Sequence, residues 1–185
     1  MVPRMTKHIA YLLVVISSVA RAEPPAPAAE LAAYGKAVAG AWTCTGKVSG
    51  DGKTMLDARA TATNTIDLDR WWIATSFHAT FAGFTYEQTA FTSFVAPEAK
   101  FRRVIVDNVG GSEVASAPHV ERRGTSWRLD WIGEAHAGIA MPTGRNVYAT
   151  RHHETMATPD AYHRWGEVSL DGKTWIVGYD VTCTR

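Results

Sequence analysis

Trp42-Thr-Cys-Thr-Gly-Lys-Val-Ser49 decides the reading of this chain. Trp42, Cys44, Gly46 and Val48 alternate with Thr43, Thr45, Lys47 and Ser49, the period of two by which a strand sends successive side chains to opposite faces. The far end of the chain repeats the pattern over residues 174–183, where Trp175, Val177, Tyr179, Val181 and Cys183 share one parity. The two cysteines of the sequence, Cys44 and Cys183, therefore lie in the first and the last strand, each on the face that carries the apolar side chains. A disulfide needs its Cα atoms within about 7 Å, so a bond between them would lay the first strand beside the last and close the sheet on itself. The expected fold is all-β: a closed antiparallel up-and-down barrel of about 8–10 strands, preceded by a short N-terminal helix. A two-sheet sandwich bridged across its core is the competing architecture.

The stretches between these two strands agree. Residues 55–66 alternate Leu56, Ala58, Ala60 and Ala62 against Met55, Asp57, Arg59, Thr61 and Thr63, and Gly50-Asp51-Gly52 before them is hairpin-turn chemistry. Further strands are expected near 70–79, 86–95, 100–107, 112–117, 126–132, 146–154 and 161–168, separated by turn signals such as Ala82-Gly83, Arg123-Gly124, Pro142-Thr-Gly144 and Asp171-Gly172. The helical period occurs once, over 29–39, with Leu31, Tyr34 and Val38 on one face and Gly40 placed to end the helix.

The N-terminus carries a targeting signal. Arg4 and Lys7 form a basic region, residues 9–16 an apolar run of eight, and Ala20-Arg21-Ala22 supplies small residues where a signal peptidase reads. Eight apolar residues fall well short of the ~20 that span a bilayer as a helix, so residues 1–22 are expected to be a cleaved signal peptide rather than an anchor. The protein is then exported, periplasmic or secreted, with no membrane span after cleavage. Residues 23–29, with Pro24, Pro25 and Pro27, form a Pro/Ala linker, and residues 30–185 form a single domain. An oxidising compartment makes the Cys44–Cys183 disulfide the expected state, with two free buried thiols as its alternative. Cleavage removes three basic residues and no acid, which turns the formal charge of +1 into −2. No basic surface calls for nucleic acid.

At the opening strand the residues carry a resemblance. Gly40-Ala41-Trp42 after a short helix resembles the Gly-x-Trp signature of lipocalins and the wider calycin barrels, in which the Trp packs across the closed end. The run Gly40 to Gly46 is similar to the Gly-x-Trp-x-Gly-x-Gly of the ten-stranded nitrobindin-type haem barrels, with Cys44 where they have Gly. The resemblance implies a lipocalin-like barrel over residues 30–185. Haem barrels of that type present an axial His from near the C-terminal end, and residues 174–183 contain none, so no cofactor is expected.

Such a barrel could be hollow. Ala58 and Ala60 fall on the expected inner face, and small inward side chains leave volume unfilled. Trp127 and Trp131 on one strand, with Trp175 and Tyr179 on another, would line that volume with rings, which makes these six the expected ligand-binding residues. The alternative is that they are simply the packed core. A search for chemistry returns neither catalytic nor metal-binding residues. His152-His153-Glu154 is the densest cluster, but adjacent strand residues point to opposite faces and read as a solvated pair. Arg102-Arg103 and Arg122-Arg123 read as solvated strand ends, or as one Arg meeting an acidic head group at a barrel mouth. Asp130 and Glu134 have no spacing that would fix a carboxylate pair. The expected function is therefore non-enzymatic: an exported barrel holding a small apolar or amphipathic molecule. The alternative is an envelope interaction domain with a filled barrel, presenting residues such as Trp71 to a protein or glycan.

Overall fold

The computed structural model describes residues 26–135 and 147–185. The expected signal peptide at 1–22 and the turn at Pro142-Thr-Gly144 lie outside them. The described residues form the helix α1 (Ala29–Val38) and ten strands: β1 (Gly40–Ser49), β2 (Met55–Asp67), β3 (Trp72–Phe81), β4 (Phe84–Val95), β5 (Lys100–Asp107), β6 (Ser112–Arg123), β7 (Ser126–Gly133), β8 (Ala149–Thr158), β9 (Ala161–Ser169) and β10 (Trp175–Thr184). Each strand pairs antiparallel with its sequence neighbour, and β1 pairs with β10, so the sheet is a closed barrel without a free edge. Among the described residues no helix is long and apolar enough to cross a membrane.

The closing seam follows the cysteines. Cys44 stands opposite Cys183 in the β1–β10 register, the two are bonded, and both are fully buried. Close approach at the seam also depends on Gly46, where a Cβ would run into the carbonyl of Asp180 across the pair.

Helix α1 closes one end of the barrel. Its buried face is Leu31, Tyr34, Gly35 and Val38. Gly40, at φ +112°, then turns the chain into β1, a conformation open to a residue without a Cβ. Trp42 lies against the helix end at 2% exposure and donates its indole N–H to the Val38 carbonyl at 2.8 Å. Tyr162 meets that ring edge-on at 4.6 Å, and the Arg185 guanidinium covers it from outside at 4.4 Å. Asn64 donates a second hydrogen bond to the Val38 carbonyl at 3.0 Å. The terminal carbonyl of the helix is thereby satisfied by side chains of two strands.

The opposite end is rimmed by hairpins. Two of them, Ser49–Thr54 and Ser169–Thr174, share the pattern Ser-x-Asp-Gly-Lys-Thr and the same bonding. In each the Ser hydroxyl oxygen accepts from the Gly N–H, and the Asp carboxylate accepts from the N–H groups of the Lys and the Thr.

Two strands depart from the expected pattern. β6 runs on to Arg123 instead of ending at 117, because the ladder with β7 skips one residue between Ser116 and His119 and so accommodates Pro118, which has no N–H to offer. In β10 the register with β9 shifts between Val177 and Tyr179, and Gly178 is the extra residue. Tyr179, Val181 and Cys183 keep the inward parity. Trp175 and Val177 fall on the outer face instead of the expected inner one: Val177 is 43% exposed, and the Arg151 guanidinium stacks over the Trp175 ring at 3.7 Å.

Candidate functional site

Between the hairpin rim and the mid-height of the barrel lies a cavity of about 180 Å³. Its upper wall is apolar, built from Val48, Phe77, Ala79, Phe81, Ile105 and Val168. Its other pole is polar, formed by Tyr86 and Gln88 of β4, Arg103 of β5, Glu113 of β6, His152 of β8, Arg164 of β9 and Tyr179 of β10. Adjacent strands thus aim side chains of one parity at a common point, which a closed barrel does for any set of inward residues at one height.

Two ionic clusters meet at that pole, the first reaching from Arg103 and Arg164 to Glu154 in the neighbouring smaller space. In the first, Glu154 sits between two guanidinium groups, with Arg103 Nη1 at 2.6 Å and Arg164 Nη2 at 3.2 Å from the same carboxylate oxygen. The Tyr34 hydroxyl of α1 donates to the other oxygen at 2.8 Å, tying the helix to the interior. Burial alone would push Glu154 upward, but the Arg164 and Arg103 charges together outweigh it and hold the carboxyl at about 2. Arg103 is 4% exposed and lies over the Trp131 ring at 4.2 Å. Its Nε and Nη2, and the Nε of Arg164, are buried without a partner.

In the second cluster His152 joins Glu113 to Tyr179. Its Nε2 lies 2.9 and 3.1 Å from the two Glu113 oxygens, and its Nδ1 lies 2.9 Å from the Tyr179 hydroxyl. Burial works against ionisation of Glu113, and His152 and Arg103 overcome it, so the carboxyl is held below its ordinary value. An ionised Glu113 only accepts, which places a hydrogen on Nε2. Burial pushes the Tyr179 phenol up to about 12 against the pull of Arg164 and Arg103, and it raises Tyr86 further still, so both phenols keep their protons.

Of the six residues expected to bind ligand, Tyr179 lines this cavity. Trp127 lines a smaller space of about 40 Å³ beneath the helix, with Tyr34, Arg103 and Glu154. Trp131 is buried under Arg103, and Ala58 and Ala60 are buried in the wall. Trp175 is outside, for the reason given by the β10 bulge. The cluster at 152–154 does split across the sheet: His153 faces outward, stacked on Trp165 and bonded to Asp130 at 2.6 Å. His152 and Glu154, however, are buried ionic partners rather than a solvated pair, and Arg103 is interior rather than a solvated strand end. The signal that would have found them is parity: Arg103 alternates in step with Phe101 and Ile105, and Glu113 with Ala115 and Ala117.

The fold and the cavity define a calycin-like ten-stranded barrel. It is similar to the crystal structure of Rv2717c from M. tuberculosis, with a TM-score of 0.69 at 13% identity over 86% of this chain and 99% of that one. It is also similar to the S-type phycobiliprotein lyase CPES from Guillardia theta, with a TM-score of 0.51 at 9% identity over 82% of this chain and 90% of that one. No protein-family model matches the sequence, and no curated protein matches it.

The haem implied by a nitrobindin-type resemblance does not fit these residues. An axial His needs a ring nitrogen with a free lone pair directed at the iron. His152 is the His that lines the cavity among the described residues, and both its ring nitrogens are engaged, one by Glu113 and one by Tyr179. Nor do the described residues contain a group of three His, Cys, Asp or Glu side chains that could hold a metal ion.

Proposed function

We propose that this protein is an exported barrel that binds a small amphipathic molecule in the open half of its interior. The ligand's apolar part lies against Phe77, Ala79 and Ile105, and its polar end reaches Arg103, Arg164, His152 and Tyr179. The observation that carries this reading is the cavity itself: about 180 Å³, apolar above and polar at one pole. An apolar cavity of about 150 Å³ already suffices to hold benzene. A filled barrel would place large side chains there, whereas Ala79 and Gly178 are among the residues that line the space.

Titration with an aromatic fluorescent probe tests the reading, together with an Ala79→Leu variant that fills the space. The parent is expected to bind the probe saturably. The variant is expected to lose that binding at little cost in stability, because the added methylenes enter empty volume. A packed core would instead lose about 1–3 kcal/mol to overpacking. That loss, with no saturable binding by the parent, would refute interior binding and favour a role for the outer surface.

A further inference from the structure

We infer that this chain associates with a second copy of itself through the outer face of β2–β6, independently of what the cavity holds. Residues directly opposite one another on neighbouring strands line up in rows across a sheet, and every second row points outward. Two successive outward rows here carry no charge. One runs through Thr63, Ser76, Thr89, Val106 and Ser112, and the next, on the helix side, through Thr65, Ala74, Phe91, Val104 and Val114. Phe91, Val104, Val106 and Val114 are 36–48% exposed and form an apolar centre on β4, β5 and β6. Charged and polar side chains ordinarily dominate such outward positions, whereas an apolar centre depleted of charge is the composition of an interface core.

The rows that flank this band carry charges of opposite sign. On the hairpin-rim side lies Glu87, beside His78 at 3.5 Å. On the helix side lie Arg102 and, beyond it, Lys100, which share the carboxylate of Glu98. Glu98 takes Nη2 of Arg102 alone, so the other guanidinium nitrogens are open to a second acid. A two-fold axis that crosses the strands between the two uncharged rows lays each row on its neighbour. Val104 then meets Val106 of the partner subunit, and Glu87 comes beside Arg102 of the partner subunit, once on each side of the axis. Asp67, which ends β2 on the helix side, comes beside His78 of the partner subunit. An axis along β5 would instead set Arg102 on Arg102 of the partner subunit, so the charges select the crossed arrangement. With strands ~4.8 Å apart and like-facing residues ~6.8 Å apart, five strands and four rows cover roughly 650 Å². That is somewhat less than the ~800 Å² per partner of a standard interface, the size of a reversible dimer rather than a permanent one.

Sedimentation equilibrium of the unmodified protein over a range of concentrations tests this, with a reversible monomer–dimer equilibrium of micromolar Kd as the expected result. Val104→Asp should weaken association by about a hundredfold or more, and Glu87→Arg and Arg102→Glu by about tenfold each. The double variant Glu87→Arg, Arg102→Glu should recover most of the parent's affinity, because it reverses both ends of each symmetric pair. Thermal unfolding separates lost association from lost folding, and the charge reversal carries the test should Val104→Asp not fold. A parent that stays monomeric at hundreds of micromolar would overturn the inference and leave this face to a partner of other composition. So would a dimer indifferent to Val104→Asp, or a double variant that associates no better than the single ones.

Discussion

Replacing Glu154 by Gln probes the centre of the barrel with almost no change of shape. The carboxylate is the common partner of Arg103, Arg164 and the Tyr34 hydroxyl; Glu154, Arg103 and Tyr34 are buried, and the Arg164 side chain is only 12% exposed. Removing its charge leaves two interior guanidinium groups with one anion fewer, and breaking a buried pair in this way costs about 3–5 kcal/mol. A second route gives a similar figure. The carboxyl falls from its ordinary 4.5 to about 2 on folding, and at about 1.4 kcal/mol per pH unit that gap amounts to about 3 kcal/mol. Because the folded value is depressed, this stability is fully present above pH 4.5 and is lost as the pH falls toward 2. Denaturant unfolding of the parent and Glu154→Gln, followed by tryptophan fluorescence, should therefore show a difference of about 3 kcal/mol at pH 7. The difference should shrink to less than half of that value by about pH 3, where the unfolded parent's carboxyl is almost wholly protonated while the folded one is still largely ionised. Carboxylates outside the cluster around Arg103 titrate alike in both proteins and cancel in the comparison. A variant as stable as the parent at neutral pH, or a difference that stays constant into acid, would refute the account of Glu154 as the charge that holds the two arginines.

Two further outcomes follow from the ends of the barrel. Replacing Cys44 and Cys183 by Ser should lower stability by about 2–5 kcal/mol, because the bond closes a long loop of the unfolded chain. Equilibrium unfolding of oxidised parent and variant reads the difference, and non-reducing peptide mapping of periplasmically produced protein should recover the two cysteines as one linked pair. Trp42→Ala should cost about 3–5 kcal/mol, since it empties a site packed by Tyr162, Val38 and Arg185. Probe binding at the far end of the barrel should survive it, and a variant that melts like the parent but fails to bind probe would show that the residue had been misassigned.

Strand parity made most of the barrel legible in advance. On β1, β2 and β7 the alternation is unbroken, and Trp42, Cys44, Ala58, Ala60, Ala62, Trp127, Leu129 and Trp131 are buried as that alternation requires. It failed on β10 because one inserted residue, Gly178, reverses the facing of everything before it, and a bulge leaves no local mark when the residues on either side are apolar. The polar pole was hidden for a different reason. Arg103 and Glu154 are 51 residues apart, Glu113 and His152 are 39 apart, and Tyr34 and Glu154 are 120 apart, so no short spacing announces their pairing. A closed sheet brings together residues at the same height whatever their separation along the chain, and the height of a residue depends on register, which the sequence does not print.

The bonded seam makes this barrel a covalent ring as well as a hydrogen-bonded one. From Cys44 the chain runs through nine further strands to Cys183, and the sulfur bond returns it to its start. A protease that cut a single hairpin, such as the turn at Gly124, would release no fragment: the two pieces would stay joined through sulfur and flanked by intact ladders on both sides. The circle also sets where the molecule could be reopened by design. New termini placed in that turn, with a short peptide joining the old ones, would preserve every strand pairing, and the cystine would then reinforce a junction that the backbone itself already spans.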